Sequence, residues 1–249
     1  MPMPGAVTPS PRTAVVWEAL TGLLDERAAA GAAAISVLDL GGGTGGFAVP
    51  LASLGHEVTV VDESADALAT LARRAAEHGV TVRGVQGDAS DLGASVSAAV
   101  DLVLCHNVLE YVDDPAATLA EVAAVLRPGA AVSVLAPNRL AAVVHRALAG
   151  RFAEAKHALG DRLGTWGAGD PMPRRFTLAD LTVLLTGAGL EVTAVHGVRV
   201  FADLVPGGVA DGEPGGQAAL LALEKVAAEH PELRALATSL HVVAMRRDD

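Results

Sequence analysis

The chain lacks most of what would make it a secreted, membrane-spanning or nucleic-acid-coating protein. Among its 249 residues there is one cysteine, Cys105, which excludes an intramolecular disulfide and a cysteine-built zinc cluster. No unbroken apolar run reaches the length of a membrane-spanning helix. The start, Met1-Pro2-Met3-Pro4-Gly5, has neither the basic region nor the apolar stretch of a signal peptide. A cytoplasmic location is therefore expected, without membrane attachment and without a metal site. Positive charge is also short: the net charge is −11 and the pI is near 5.1. That balance disfavours broad adhesion to nucleic acid or anionic lipid, although a local basic patch can still bind an anion.

Apolar residues are plentiful, at 51% of the chain, enough for one large α/β domain with a sizeable core. The stretch that organises it runs from Ala34 to Gly46. Ile35, Val37, Leu38 and Leu40 form an apolar run bounded by glycines, the pattern of a buried parallel strand feeding a tight turn. Asp39 stands at the C-terminal end of that strand. Gly41, Gly43 and Gly46 satisfy G-x-G-x-x-G, a dinucleotide-binding pattern that any glycine-rich turn can match by chance. A carboxylate beside the glycines would repel a pyrophosphate. It would favour a ligand carrying an ammonium and a sulfonium, such as S-adenosylmethionine (SAM).

Around this turn the chain alternates strands and helices. An amphipathic helix over about 12–30 buries Val15, Val16, Ala19, Leu20, Leu23 and Leu24, and Arg12 at its start is a candidate to reach the cofactor. Strands are expected at 57–62, 80–86, 100–105 and 130–136. Helices are expected between them at 47–54, 64–78 and 115–126, the second capped by Ser64 and the third carrying Pro115 in its first turn. Asp62 ends the second strand 16 residues after Gly46, where a carboxylate accepts hydrogen bonds from ribose hydroxyls in both NAD and SAM sites. The fourth strand opens into His106-Asn107-Val108-Leu109-Glu110-Tyr111, which puts His106 at the mouth of the central strand.

From Pro137 the rhythm changes. Residues 138–176 combine a helix-like part, 140–159, with a glycine-rich part. They carry Arg139, His145, Arg146, Arg151, Lys156, His157, Arg162, Arg174 and Arg175. This reads as a basic cap inserted on the substrate side, for an anionic small molecule or an RNA loop. A Thr177-capped helix, a strand over 190–201 containing Arg199, a loop over 206–216, a helix over 217–229 and a strand over 240–245 complete the chain. The expected architecture is α/β. It has a doubly wound, mostly parallel, seven-stranded Rossmann-like sheet with an antiparallel last strand, and a helical cap insertion. Residues 1–137 and 177–249 form the core, and 138–176 form the cap.

Asp39-Leu40-Gly41-Gly42-Gly43-Thr44-Gly45 resembles the first motif of the class I SAM-dependent methyltransferases. Further stretches narrow the likeness: Arg12-Thr13-Ala14-Val15-Val16-Trp17, Cys105-His106-Asn107-Val108-Leu109-Glu110-Tyr111, Leu126-Arg127-Pro128-Gly129, Gly150-Arg151-Phe152 and Gly197-Val198-Arg199-Val200-Phe201. Together they resemble the bacterial tRNA 5-carboxymethoxyuridine methyltransferases over nearly the whole chain. The resemblance implies methyl transfer from SAM to the carboxylate of a modified uridine in the tRNA anticodon. It implies that Arg12, Asp39, Gly41, Gly42, Gly43 and Asp62 hold SAM, that Asp88 and Ala89 border adenine, and that His106 lies beside the cofactor. The carboxylate would be held by a guanidinium, from Arg174, Arg175 or Arg199. A hydroxyl or amine acceptor would instead use His106 as base. A small-molecule O- or N-methyltransferase, an NAD oxidoreductase and a noncatalytic SAM-binding module are the alternatives, and the oligomeric state is left open.

Overall fold

The computed structural model describes residues 12–96, 99–212 and 214–247. The proline-bearing arm read over residues 1–10 and the acidic end, Asp248 and Asp249, lie outside the described residues. The strands are β1 (Ser36–Leu40), β2 (Glu57–Asp62), β3 (Arg83–Gln86), β4 (Val100–His106), β5 (Leu126–Pro137), β6 (Leu190–Val198) and β7 (Ser239–Arg246). The helices are α1 (Ala14–Ala29), α2 (Ala48–Ser53), α3 (Ala65–Glu77), α4 (Leu92–Ser95), α5 (Pro115–Val125), α6 (Arg139–Leu148), α7 (Phe152–Gly160), α8 (Leu178–Gly187), α9 (Gly207–Gly212), α10 (Gly216–Glu229) and α11 (Pro231–Arg234).

The strands form one seven-stranded sheet in the order β3-β2-β1-β4-β5-β7-β6. Neighbours pair in parallel from β3 to β5, and β7 runs antiparallel between β5 and β6. This is the architecture expected from the sequence, antiparallel last strand included. Because side chains alternate across a strand, Leu38, Leu40, Val103 and Cys105 face α5 and α8, while Val37, Val60, Leu102 and Leu104 face α1 and α2. The chain leaves β1 for β2 on one side and reaches β4 on the other. The crevice at the carboxyl ends of β1 and β4 is the switch point where open α/β sheets bind ligands.

Local chemistry accounts for most boundaries. The Ser64 hydroxyl accepts the Ala67 N–H, and Asp114 accepts those of Ala116 and Ala117 ahead of Pro115. Thr177 and Asp180 cap each other in a capping box. Several segments differ from expectation: the strand read over 80–86 begins only at Arg83, and the short helices α4 and α11 were not read at all. Arg127-Pro128-Gly129, read as a break before the fifth strand, lies inside β5 as an irregularity: Leu126 pairs with Val100, and regular pairing resumes at Leu102–Ala131. The helix-like part of the cap is two helices, broken where Gly150 takes a φ of +73°. The loop over 206–216 contains α9, whose glycines are poor helix formers and which packs against α10. β6 stops at Val198 because Arg199 turns to a φ of +62°. Among the described residues no helix is long and apolar enough to cross a membrane.

Candidate active site

The glycine turn after β1 is held from below and from the side. The Asp39 carboxyl is buried beneath it, and a Cβ built on Gly42 would meet the Asp39 Cγ at 2.6 Å. Gly41 lines the cavity with a φ of +65°, and a Cβ there would meet Val108 Cγ2 at 2.6 Å. Both positions therefore exclude a side chain. From β2, one oxygen of Asp62 accepts the Gly43 N–H at 2.8 Å and the other accepts the Ser64 N–H at 2.9 Å. The carboxylate is fixed in place, and each oxygen keeps a second lone pair for a ligand hydroxyl. Burial, then the nearby Asp62 charge, raises the Asp39 pKa to about 7. In the ligand-free chain Asp39 therefore lies beneath the turn with its charge partly suppressed.

At the end of β4 the chain enters the crevice. Asn107 takes a φ of +56°, a left-handed conformation that asparagine tolerates better than most residues with a Cβ, and its N–H bonds the Leu135 carbonyl. It lines two cavities at once. The first, of about 300 Å³, is walled by Gly41, Asp62, Gly87, Ala89, Val108 and Tyr111. The second, of about 310 Å³, lies under the cap between Asn138, His145, Arg146, Trp166, Arg199 and Ser239. His106, just before Asn107, is buried. Its Nε2 meets Ser133 Oγ at 2.8 Å, its ring lies edge-on to Phe47, and its Nδ1 has no partner. Burial pulls its pKa down to about 3, so the ring is neutral at physiological pH.

The cap-side cavity is built from charges that are largely matched. Asn138 starts the cap by bonding the carbonyls of Ala235 and Ala237 and capping α6. Trp166 stands between the guanidinium groups of Arg146 and Arg175, 3.5 and 4.1 Å from its ring centre. Arg175 is buried and bound two-pronged to Asp170, at 2.6 and 3.0 Å, while Arg146 pairs with Glu154. Arg199, the second non-glycine residue with positive φ, pairs with Asp203 at 3.2 Å and donates to Ser239. Its turn is locked from α10. The buried Glu224 carboxylate accepts the N–H groups of Val200, Phe201 and Ala202.

The first cavity suits SAM better than a dinucleotide. Among the described residues no Lys or Arg lines it to meet a pyrophosphate, whereas Asp62 keeps lone pairs free for hydroxyls and the glycine cradle leaves room for a ligand. The comparisons agree. A methyltransferase-domain family matches residues 37–129. The tRNA 5-carboxymethoxyuridine methyltransferase of Escherichia coli K12 is 32% identical over 202 residues, covering 77% of this chain and 72% of that protein. This chain is a class I SAM-dependent methyltransferase. The ubiquinone biosynthesis O-methyltransferase of Caulobacter vibrioides is 36% identical over 105 residues, 42% of each chain. A SAM-dependent methyltransferase from Methanosarcina mazei shares the fold at a TM-score of 0.60, with 20% identity over 87% of this chain and 94% of its own. So does the magnesium protoporphyrin IX methyltransferase of Synechocystis, solved with bound SAH, at a TM-score of 0.60 and 15% identity over 95% and 85%.

Of the expected residues, Gly41, Asp62 and Ala89 line the first cavity, Gly42 and Gly43 belong to the turn above Asp39, and Arg199 lines the second cavity, while His106 lines neither and is buried against Phe47 and Ser133. Three expected residues stand elsewhere. Asp88 is exposed, with its carboxylate on the Ser90 N–H, so Gly87 and Ala89 form the wall instead. Arg12 is exposed and reaches towards Asp203 at 3.9 Å. Arg174 lies outside the cap-side cavity and donates to the Asp113 carbonyl, because alternation along the extended run 174–176 turns it opposite to Arg175. The sequence reading assigned nothing to Asn107, Trp166, Ser133 or Glu224. Asn directly after an apolar strand was the available signal for a left-handed turn.

Proposed function

We propose that this methyltransferase esterifies the carboxylate of a 5-carboxymethoxyuridine in a tRNA anticodon, in the cytoplasm. Gly41, Gly42, Gly43 and Asp62 would hold SAM, with Asp39 beneath the turn, Ala89 beside adenine and Arg12 closing from the residues just before α1. SAM supplies a methyl group already activated by its sulfonium. The protein's task is then to bring the nucleophile into line with it. Residues 138–176 act as the acceptor-side cap.

The observation that carries the reading is Arg199. It is a cation held at positive φ on the wall of a cavity that meets the cofactor crevice at Asn107. It uses one nitrogen on Asp203 and another on Ser239, and the remaining donors of its fork suit a carboxylate. A carboxylate is ionised at neutral pH and needs no base. The identity with the Escherichia coli enzyme supports the tRNA acceptor. A second reading, a small anionic acceptor, is favoured by the internal pairing of Arg146 and Arg175, which leaves the cap less free positive charge for RNA. Incubation with methyl-labelled SAM, tRNA bearing 5-carboxymethoxyuridine and a small-metabolite extract tests both. Label in tRNA, released by mild base, is the expected result. Base-stable label overturns the ester, and label confined to metabolites selects the second reading.

A further inference from the structure

Four polar side chains cross the sheet in a single bonded row on the face covered by α1. His106 Nε2 lies 2.8 Å from Ser133 Oγ, Ser133 Oγ lies 2.8 Å from His241 Nε2, and His241 Nδ1 lies 3.1 Å from His196 Nδ1. The strand registers build the row. His196 pairs directly with His241, while His106 and His241 both pair with Leu135, two residues from Ser133 on β5. His106, Ser133 and His241 are buried. The inner end of the row, His106 Nδ1, is a buried nitrogen without a partner, at the strand end that leads into Asn107. The outer end, His196, is partly exposed and lines a cavity of about 450 Å³ between α1 and the β6–β7 edge.

The hydrogen count makes the row directional. Ser133 has one hydroxyl proton for two ring nitrogens, so full pairing requires one ring to donate to its oxygen and the other to accept from it. Burial, followed by the two neighbouring histidines, holds His241 neutral, so it too donates at one nitrogen and accepts at the other. The row then has two head-to-tail arrangements. They interconvert when a proton arrives at His106 Nδ1 and His106 Nε2–H passes to Ser133. Ser133 passes its proton to His241 Nε2, His241 Nδ1–H passes to His196 Nδ1, and His196 Nε2–H leaves to solvent. No ring has to keep a positive charge. The charges around the outer end are Glu18 of α1, Glu229 of α10 and Arg234 of α11, and the ring against the inner end is Phe47.

We infer that His106, Ser133, His241 and His196 form a proton exit path, which equips this site to methylate acceptors that must lose an O–H or N–H proton. In that step the acceptor oxygen or nitrogen bonds the methyl carbon, the carbon–sulfur bond breaks onto sulfur, and the acceptor's proton enters at His106 Nδ1. The inference goes beyond the carboxylate reading, in which no proton is released.

The test uses two anticodon stem-loop RNAs, one with 5-hydroxyuridine and one with 5-carboxymethoxyuridine. They are assayed with wild type, Ser133→Ala and Ser133→Thr below the pKa of the hydroxyl. Ser133→Ala is expected to slow methylation of the hydroxyl at least tenfold more than that of the carboxylate, and Ser133→Thr to restore most of the difference. In parallel, long-range proton–nitrogen NMR of the labelled wild type, with S-adenosylhomocysteine added, is expected to find His106, His241 and His196 neutral and ordered head to tail. Ser133→Ala should move the His106 and His241 signals together. Methylation of the carboxylate alone, equal slowing of both acceptors, or His106 and His241 both protonated at Nε2 overturns the inference. Failure of wild type on both RNAs overturns the tRNA reading instead, and the histidine tautomers then decide the exit path by themselves.

Discussion

The two cavities that meet at Asn107 are made of different material. The cofactor side is built mainly from backbone: a glycine turn, three strand ends and one carboxylate bonded to two N–H groups. The acceptor side is built from long side chains in ion pairs, Arg146–Glu154, Arg175–Asp170 and Arg199–Asp203, around one tryptophan. Backbone geometry allows few substitutions, because a Cβ in the wrong place collides with its surroundings. Ion pairs can be re-paired. The first side therefore tolerates few substitutions, and the second can be altered by re-pairing its charges.

The sharpest break in the contrast is Asp62→Ala. Removing the carboxylate proposed to take the ribose hydroxyls, which also accepts the Gly43 N–H, should cost about 3 kcal/mol, or about a hundredfold in SAM Kd by calorimetry. The acceptor KM measured at saturating SAM should barely move. Arg199→Ala is the converse. Loss of a charge-assisted contact of about 2 kcal/mol should raise the acceptor KM roughly 30-fold while the SAM Kd stays within twofold. An Arg199→Ala enzyme that loses SAM affinity as well would show that the two cavities are one site.

Two sets of buried groups titrate in opposite senses. Burial raises Asp39 and Glu110 to about 7. These carboxyls favour the fold at low pH, and that contribution is lost as pH rises from their unfolded values through 7. Burial lowers His106 to about 3, and His241 and His196 in the same direction. Their contribution is present above 6.5 and lost as pH falls. Whole-protein stability mixes the two trends, so the informative quantity is the difference between wild type and His106→Gln in denaturant midpoints. Wild type should lose about 2 kcal/mol relative to His106→Gln between pH 6.5 and pH 5. A constant difference would mean that His106 is not held neutral.

The contrast explains how far sequence could be read. β2 was read to the residue, the starts of α3 and α5 came from Ser64 and Pro115, and the doubly wound sheet followed from the alternation of strands and helices. Those features are local, and periodicity and capping encode local structure. The acceptor side depends on partners far apart in the chain. Glu224 holds the turn after Arg199 from 22 to 24 residues away, and Ser133 meets His241 across 108. A basic stretch shows that arginines are present. It does not show which of them a carboxylate has already claimed, as Asp170 has claimed Arg175.

Arg174 is where this limit has its smallest measurable consequence. Two adjacent arginines at the end of the cap looked equally able to grip an anion, yet along an extended run successive side chains take opposite sides. Arg175 turns to the cavity and is neutralised by Asp170, and Arg174 turns to the Asp113 carbonyl at 3.3 Å. Arg174→Ala should therefore change the acceptor KM less than threefold and the SAM Kd not at all, since a single exposed hydrogen bond contributes about 1 kcal/mol at most. A tenfold rise in KM would mean that the run 174–176 twists when the acceptor binds, and that the cap's charges are rearranged on binding instead of being set in the free protein.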